Sequence, residues 1–351
     1  MPGFVRLAQV GVALLTAAGI GAVAVPAQAA STGIARVKGG DEVHYIAGSN
    51  LTNKVVVTRS GRVVTIDDRV PIRAGAGCKA VKGDRTKVRC TVRNKSVSGK
   101  TVVVQLGNKN DSFINRTPFS SIGYGGSGSD SLTGGRGADH FRGESGKDKL
   151  VGAGGRDLLY GNGGDDRLSG GDERDSVHGG NGNDVMTGNN GPDLLNGGPG
   201  DDNQYGGAGD DDFWTWGSGT DGADLYLGGS GRDKIQYIAR TQPIRVDLDG
   251  AKGDDGAAGE HDTVGADIED IRGGSGDDIL VGNGSANRLD GVLGNDRIFG
   301  GDGRDQLLGD SGNDYLSGED PTGDVPDVLD GSIGTDVCRV FPADVATGCE
   351  G

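Results

Sequence analysis

GGSGSDSLT at Gly125–Thr133 is followed without a gap by GGRGADHFR (Gly134–Arg142), GESGKDKLV (Gly143–Val151), GAGGRDLLY (Gly152–Tyr160) and GNGGDDRLS (Gly161–Ser169). The nine-residue period continues as GGDERDSVH, GGNGNDVMT, GNNGPDLLN, GGPGDDNQY and GGAGDDDFW, ending at Trp214. After the insertion Thr215–Ser218 it resumes as GTDGADLYL and GGSGRDKIQ, to Gln236. A second run opens with GGSGDDILV at Gly273 and passes through GNGSANRLD, GVLGNDRIF, GGDGRDQLL and GDSGNDYLS to Ser317. Gly318–Pro321 then precede TGDVPDVLD and GSIGTDVCR. The sixth position is Asp in every unit except one, which has Asn287. The eighth is usually Leu, Ile, Phe, Val or Met; Gln204 and Cys338 depart from this, and Tyr226 does so more mildly.

Each unit has a physical reading. Six Gly-rich residues make a tight turn, because Gly tolerates positive φ and lets backbone carbonyls converge. Three residues then make a short strand whose middle side chain faces inward. Two units complete one coil, so turns stack on both edges and the inward apolar residues fill a thin core. Carboxylates and turn carbonyls from stacked neighbours then surround an oxygen-only cage. Hard oxygen ligands in flexible geometry suit Ca²⁺ rather than Zn²⁺ or copper.

The unit resembles GGxGxDxUx, the nonapeptide of the RTX, or hemolysin-type, calcium-binding repeat family, over roughly Gly125–Arg339. The resemblance implies an all-β fold, a right-handed parallel β-roll with Ca²⁺ between consecutive turns on each edge. It carries the ligand role to Asp130, Asp139, Asp148, Asp157, Asp166, Asp175, Asp184, Asp193, Asp202, Asp211, Asp224 and Asp233 in the first block. In the second block it carries it to Asp278, Asp296, Asp305, Asp314, Asp327 and Asp336. Asn287 loses a charge, Glu173 replaces the Gly normally at the fourth position, and Gln204 weakens the core rather than a metal site.

Composition agrees. Gly makes up 71 of 351 residues, but Pro is only 10 and no three-residue period runs through the chain, which excludes collagen. Aromatics are 5% and mean hydropathy is −0.41, so a single large core is not expected. The net charge of −16 argues against a general nucleic-acid binder. Charge is also unevenly split: residues 1–120 carry +12 and residues 121–351 carry −28. So much self-repulsion keeps a Gly-rich segment unfolded unless cations bind it.

The flanks read differently. Residues 1–29 have Arg6, an apolar stretch Val10–Val25 and the small-residue triplet Ala27-Gln28-Ala29, the pattern of a signal peptide for an exported, extracellular protein. Residues 30–105 are Lys/Arg-rich with β-branched runs at Lys54–Thr58, Arg62–Ile66, Lys87–Thr91 and Thr101–Gln105, and read as an N-terminal β domain or cap. Leu106–Ile114 echoes the repeat, with Lys109 at an expected Gly, so the first roll block is placed at 106–236. Residues 237–272 interrupt the period with an inserted strand pair, and offer Asp247, Asp249 and Asp254 as further ligand candidates. The second block is 273–337 and the C-terminal cap 338–351. The four cysteines form two close pairs, Cys78 with Cys90 and Cys338 with Cys349, expected to bridge locally in an oxidising compartment.

No enzyme signature stands out. His44, His140, His178 and His261 are scattered outside any HExxH, and neither a G-x-S-x-G elbow nor a phosphate-binding loop is present. The expected function is that of a secreted, non-catalytic calcium-binding module with structural or interaction duties. The alternatives are a cell-surface or matrix adhesin and the tail of an RTX exoenzyme. Calcium is the expected partner, with no nucleic acid and no integral membrane association. If a site needs two stacked turns on one edge, the ten- and five-unit runs give about 11 ions.

Overall fold

At the end of every repeat, three residues extend into a strand and the middle one turns inward. Leu132, Phe141, Leu150, Leu159, Leu168, Val177, Met186 and Leu195 occupy this position in successive units and are at most 2% exposed. The structure is a computed structural model in which residues 32–93, 99–215, 222–319 and 325–350 are described. The expected signal peptide lies outside them. The described residues contain strands and no helix, wound into a parallel β-solenoid of about 13 turns.

Alternate repeats feed alternate faces. One face is a 16-stranded sheet; the opposite face is a 12-stranded sheet followed by a six-stranded one. Leu132, Leu150, Leu168 and Met186 stand in register on the 12-stranded sheet, eighteen residues apart. Phe141, Leu159, Val177 and Leu195 do the same on the 16-stranded sheet. Eighteen residues per coil is twice the sequence period, which explains why one apolar residue per nine is enough. Each inward side chain contributes roughly 1.5–3 kcal/mol of burial. The insertion before Asp224 lengthens one coil, so Gln204 faces Tyr226 across 22 residues while the ladder stays in step.

The N-terminal region continues both sheets. Thr101–Asn108 pairs in parallel with Glu42–Ile46 and with Ser120–Ser127. Lys54–Ser60 pairs in parallel with Ser112–Asn115. Outside these, antiparallel pairs appear, Gly33–Lys38 on Glu42–Ile46 and Val63–Asp67 between Lys54–Ser60 and Asp84–Thr91, while Ile72–Ala74 pairs in parallel with Gly33–Lys38. Antiparallel hairpins close an end that a parallel coil would leave open. Cys78 and Cys90 are joined across the antiparallel pair Cys78–Val81 and Asp84–Thr91. At the other end, Cys338–Cys349 links the last strand of the six-stranded sheet, Val337–Arg339, to the residues after Val345–Thr347 of the 16-stranded sheet. That bridge ties the two faces together where the core ends.

The interruption is only partly an insertion. Thr263–Val264 extends the 12-stranded sheet and Asp270–Arg272 extends the 16-stranded one, so a coil is completed before the nine-residue period becomes legible again. The true insert is Ile244–Asp247, which pairs antiparallel with Gly256–Ala257 and starts the six-stranded sheet against Ile279–Val281. A buried ion pair, Arg240 Nη1 to Glu260 Oε1 at 2.6 Å, joins the residues on either side of this insert.

Candidate metal sites along the two edges

The residue two positions before each inward side chain is the Asp singled out above, and the turn delivers it to an edge of the roll. Asp130, Asp148, Asp166, Asp184, Asp202 and Asp224 line the edge entering the 12-stranded sheet. Asp139, Asp157, Asp175, Asp193, Asp211, Asp233, Asp305 and Asp327 line the edge entering the 16-stranded sheet. Asp278, Asp296, Asp314 and Asp336 lead into the six-stranded sheet. All are at most 3% exposed.

Each carboxylate uses its two oxygens differently. Oδ1 accepts the backbone N–H of the equivalent Asp one coil earlier: Asp130 N–H donates to Asp148, Asp148 to Asp166, Asp166 to Asp184, each at 2.7 Å. The other edge repeats this from Asp139 to Asp157, Asp157 to Asp175 and Asp175 to Asp193. Oδ2 is buried without a hydrogen-bond partner in Asp111, Asp130, Asp148, Asp166 and Asp184, and in Asp157, Asp175, Asp193, Asp211 and Asp233. The same holds for Asp296, Asp305, Asp314 and Asp336. A buried oxygen in this condition is expensive.

What faces Oδ2 is a second oxygen. A Cβ added to Gly143 would meet Asp148 Oδ2 on one side and lie 2.8 Å from the Gly161 carbonyl oxygen of the next coil on the other. Gly161 is bounded in the same way by Asp166 and Gly179, and Gly179 by Asp184 and Gly197. Two converging oxygens with no donor between them form a cradle for a hard cation, and the donor set fits Ca²⁺. The electrostatics agree. Burial, with neighbouring carboxylates adding to it, outweighs the N–H donors and pushes Asp157 up to about 8, and Asp130, Asp166, Asp193 and Asp211 up to about 7.

At some positions the protein itself supplies a donor to the outer oxygen. Gly135 N–H donates to Asp139 Oδ2, and Gly274 N–H to Asp278 Oδ2, both at 2.8 Å. Asn283 N–H makes the equivalent bond to Asn287 Oδ1 at 2.8 Å, while Asn287 Nδ2 donates to the Glu269 carbonyl at 3.0 Å. The Tyr226 hydroxyl donates to Asp224 Oδ2 at 2.9 Å, so the mild departure at that eighth position reaches into an edge. Glu173, in place of the fourth-position Gly, adopts φ +77° and leaves Asp175 on its ladder.

The ladders also include residues outside the glycine-rich runs. Asn53 N–H donates to Asp111 Oδ1 and Asp111 N–H to Asp130 Oδ1, with Lys109 at φ +86° taking the place of a turn glycine. Asp224 N–H donates to Asp262, Asp233 to Glu269, Asp327 to Asp344 and Asp336 to Glu350. Asp111, Asp262 and Glu269 each stand two positions before a buried residue, Phe113, Val264 and Ile271, whereas Ala346, two positions after Asp344, is exposed. That acidic-x-apolar triplet, without its glycine turn, was the available signal. Asp247, Asp249 and Asp254 lie apart from both edges, in and after the inserted strand.

Comparison with curated proteins gives no match for the chain. The family model described as RTX calcium-binding nonapeptide repeat (4 copies) matches residues 124–159, 160–195, 178–213, 218–236, 263–298 and 290–320. Its second set of matches begins at Thr263, the strand with which the coil resumes. Through residues 124–320, this chain belongs to the RTX calcium-binding nonapeptide repeat family.

Proposed function

We propose that the chain is a secreted, non-catalytic protein whose roll folds on binding Ca²⁺ and then serves as a structural or interaction module. The observation that carries this reading is the column of buried, partnerless Oδ2 atoms on each edge, facing carbonyls of the next coil. The residues that would hold the ions are Asp130, Asp148, Asp166 and Asp184 on one edge and Asp157, Asp175, Asp193, Asp211 and Asp233 on the other. Asp296, Asp305, Asp314 and Asp336 extend the set. Calcium supplies the positive charge that these oxygens lack.

Magnitudes support coupling of folding to the ion. Adjacent coils are about 4.8 Å apart, and two unit charges at about 5 Å repel by roughly 3 kcal/mol at an effective dielectric constant near 20. Each coil adds two such carboxylates and two inward side chains worth roughly 1.5–3 kcal/mol apiece, so repulsion cancels the burial. The ionised roll has little net drive to form until the charge is neutralised. Asp139, Asp278 and Asn287, capped by backbone N–H groups, orient their turns without an ion. Secretion is supported by the pattern of residues 1–29 and by the two disulfides, which persist in oxidising compartments. None of the described residues forms a helix long and apolar enough to cross a membrane.

The test is far-UV circular dichroism of the full chain in EDTA and then in rising Ca²⁺. Extracellular calcium modules bind at about 10⁻⁴–10⁻³ M, so millimolar Ca²⁺ should produce a cooperative gain of β signal, with Mg²⁺ a poor substitute. An unchanged spectrum overturns the reading.

A further inference from the structure

We propose that the insert carries a cation site of its own, built from Asp247, Asp249 and Asp254 and suited to Ca²⁺. One carboxylate oxygen from each of the three lies within 4.8 Å of the others. Two oxygens on opposite sides of one Ca²⁺ are about 5 Å apart, since each bond is about 2.3–2.6 Å. One buried and two exposed carboxylates suit the flexible oxygen coordination of Ca²⁺ better than the strict octahedron of Mg²⁺.

A second observation points to a ligand. Asp247 is only 6% exposed, and its Oδ1 is buried with no hydrogen-bond partner. Its Oδ2 meets Arg245 Nη2 at 3.0 Å, one positive charge against three carboxylates. The backbone fixes the cluster: Asp247 N–H donates to Asp255 Oδ1 at 2.7 Å, and Asp249 Oδ1 accepts the Ala251 N–H at 2.6 Å. Asp249 and Asp254 are exposed, so the site opens to solvent, unlike the cradles on the edges. Its ion ties the loop Gly250–Asp254 back onto Ile244–Asp247, the strand that founds the six-stranded sheet.

Lys252, exposed in that loop, provides a local readout. The full chain is digested with trypsin in EDTA and in 10 mM CaCl₂, and cleavage after Lys252 is followed by mass spectrometry beside circular dichroism. In the wild type, calcium should slow that cleavage at least tenfold. In the Asp249→Asn/Asp254→Asn double variant, calcium should still fold the roll while Lys252 stays cleavable. Protection of Lys252 in the double variant equal to wild type overturns the proposal, as does wild-type cleavage indifferent to calcium in a folded roll. Failure of the edge sites has a different signature: no β signal gained in calcium, with protection at Lys252 retained.

Discussion

Replacing Asp184 by Asn removes one negative charge from the middle of an edge and disturbs little else. The side chain keeps a carbonyl oxygen for the Asp166 N–H, the bond Asp184 Oδ1 makes at 2.7 Å. Its new amide group, placed where Oδ2 faced the Gly197 carbonyl, donates to that carbonyl. One cradle is thereby closed by the protein. A site with Kd of about 10⁻⁴ M in 10 mM free Ca²⁺ adds about 2.7 kcal/mol to the folded state. Asp184→Asn should therefore cost about 2–3 kcal/mol in 10 mM CaCl₂, and in EDTA the variant should hold at least as much β structure as wild type. Asp184→Ala should cost a further ~1–3 kcal/mol, because the buried Asp166 N–H loses its acceptor. Urea unfolding followed by circular dichroism supplies the stabilities, and calorimetric titration supplies the ion count, which should fall by at least one. An Asp184→Asn variant that binds as many ions as wild type, and is equally stable in calcium, refutes this account of the edge.

Acidification should favour the metal-free roll. The folded-state values of Asp157 (about 8) and of Asp130 and Asp166 (about 7) lie above the ordinary 3.8, so this protonation-linked stability is fully present below about pH 4 and is lost as pH rises through 6–8. In EDTA, more β signal at pH 5 than at pH 8 is expected; the reverse order contradicts the sign. Gly146→Ala places a Cβ against the Gly128 carbonyl of the preceding coil, at a backbone with φ +130°, and should lose more than about 2 kcal/mol in calcium melts. Phe141→Ala empties a fully buried position that packs edge-on against Phe113 at 6.0 Å, and should cost about 3–5 kcal/mol by the same assay. Reducing Cys338–Cys349 releases a short loop worth roughly 3 kcal/mol, and hydrogen exchange should show the last coils opening while Leu150 and Leu168 stay protected.

Most of the roll was legible because two constraints repeat together. The inward apolar residue and the Asp two places before it recur every nine residues, so coil length, strand position and edge position all follow from one period. The cysteine pairs and the strands at Lys54–Thr58 and Thr101–Gln105 were legible for similarly local reasons. What lay beyond sequence reasoning was set by stacking. That Thr263–Val264 and Asp270–Arg272 belong to the coil depends on neighbours 36 or more residues away, and the Gly turn that normally announces such strands is absent. Glu269 reaches the ladder with a longer side chain, which an Asp-based pattern passes over. The closure of Asp139 and Asp278 by their own turns is likewise invisible in the residues, since both units carry a full glycine complement. Tyr226 was noted as an apolar-position departure, but its hydroxyl contact with Asp224 appears only in three dimensions.

Those closed positions have a consequence for how the molecule responds to its ion. Each edge is a one-dimensional lattice in which a site interacts only with the one above and the one below. On the function proposed above, Asp139, the Tyr226–Asp224 contact, Asp278 and Asn287, each already given a hydrogen-bond donor, would be vacancies in that lattice, and correlation does not pass through a vacancy. The steepness of the calcium response is therefore governed by the longest uninterrupted segment rather than by the number of repeats in the chain. Adding coils beyond an existing vacancy lengthens the protein without sharpening the transition, whereas repairing a single vacancy, as Asn287→Asp would, joins neighbouring segments and makes the transition steeper.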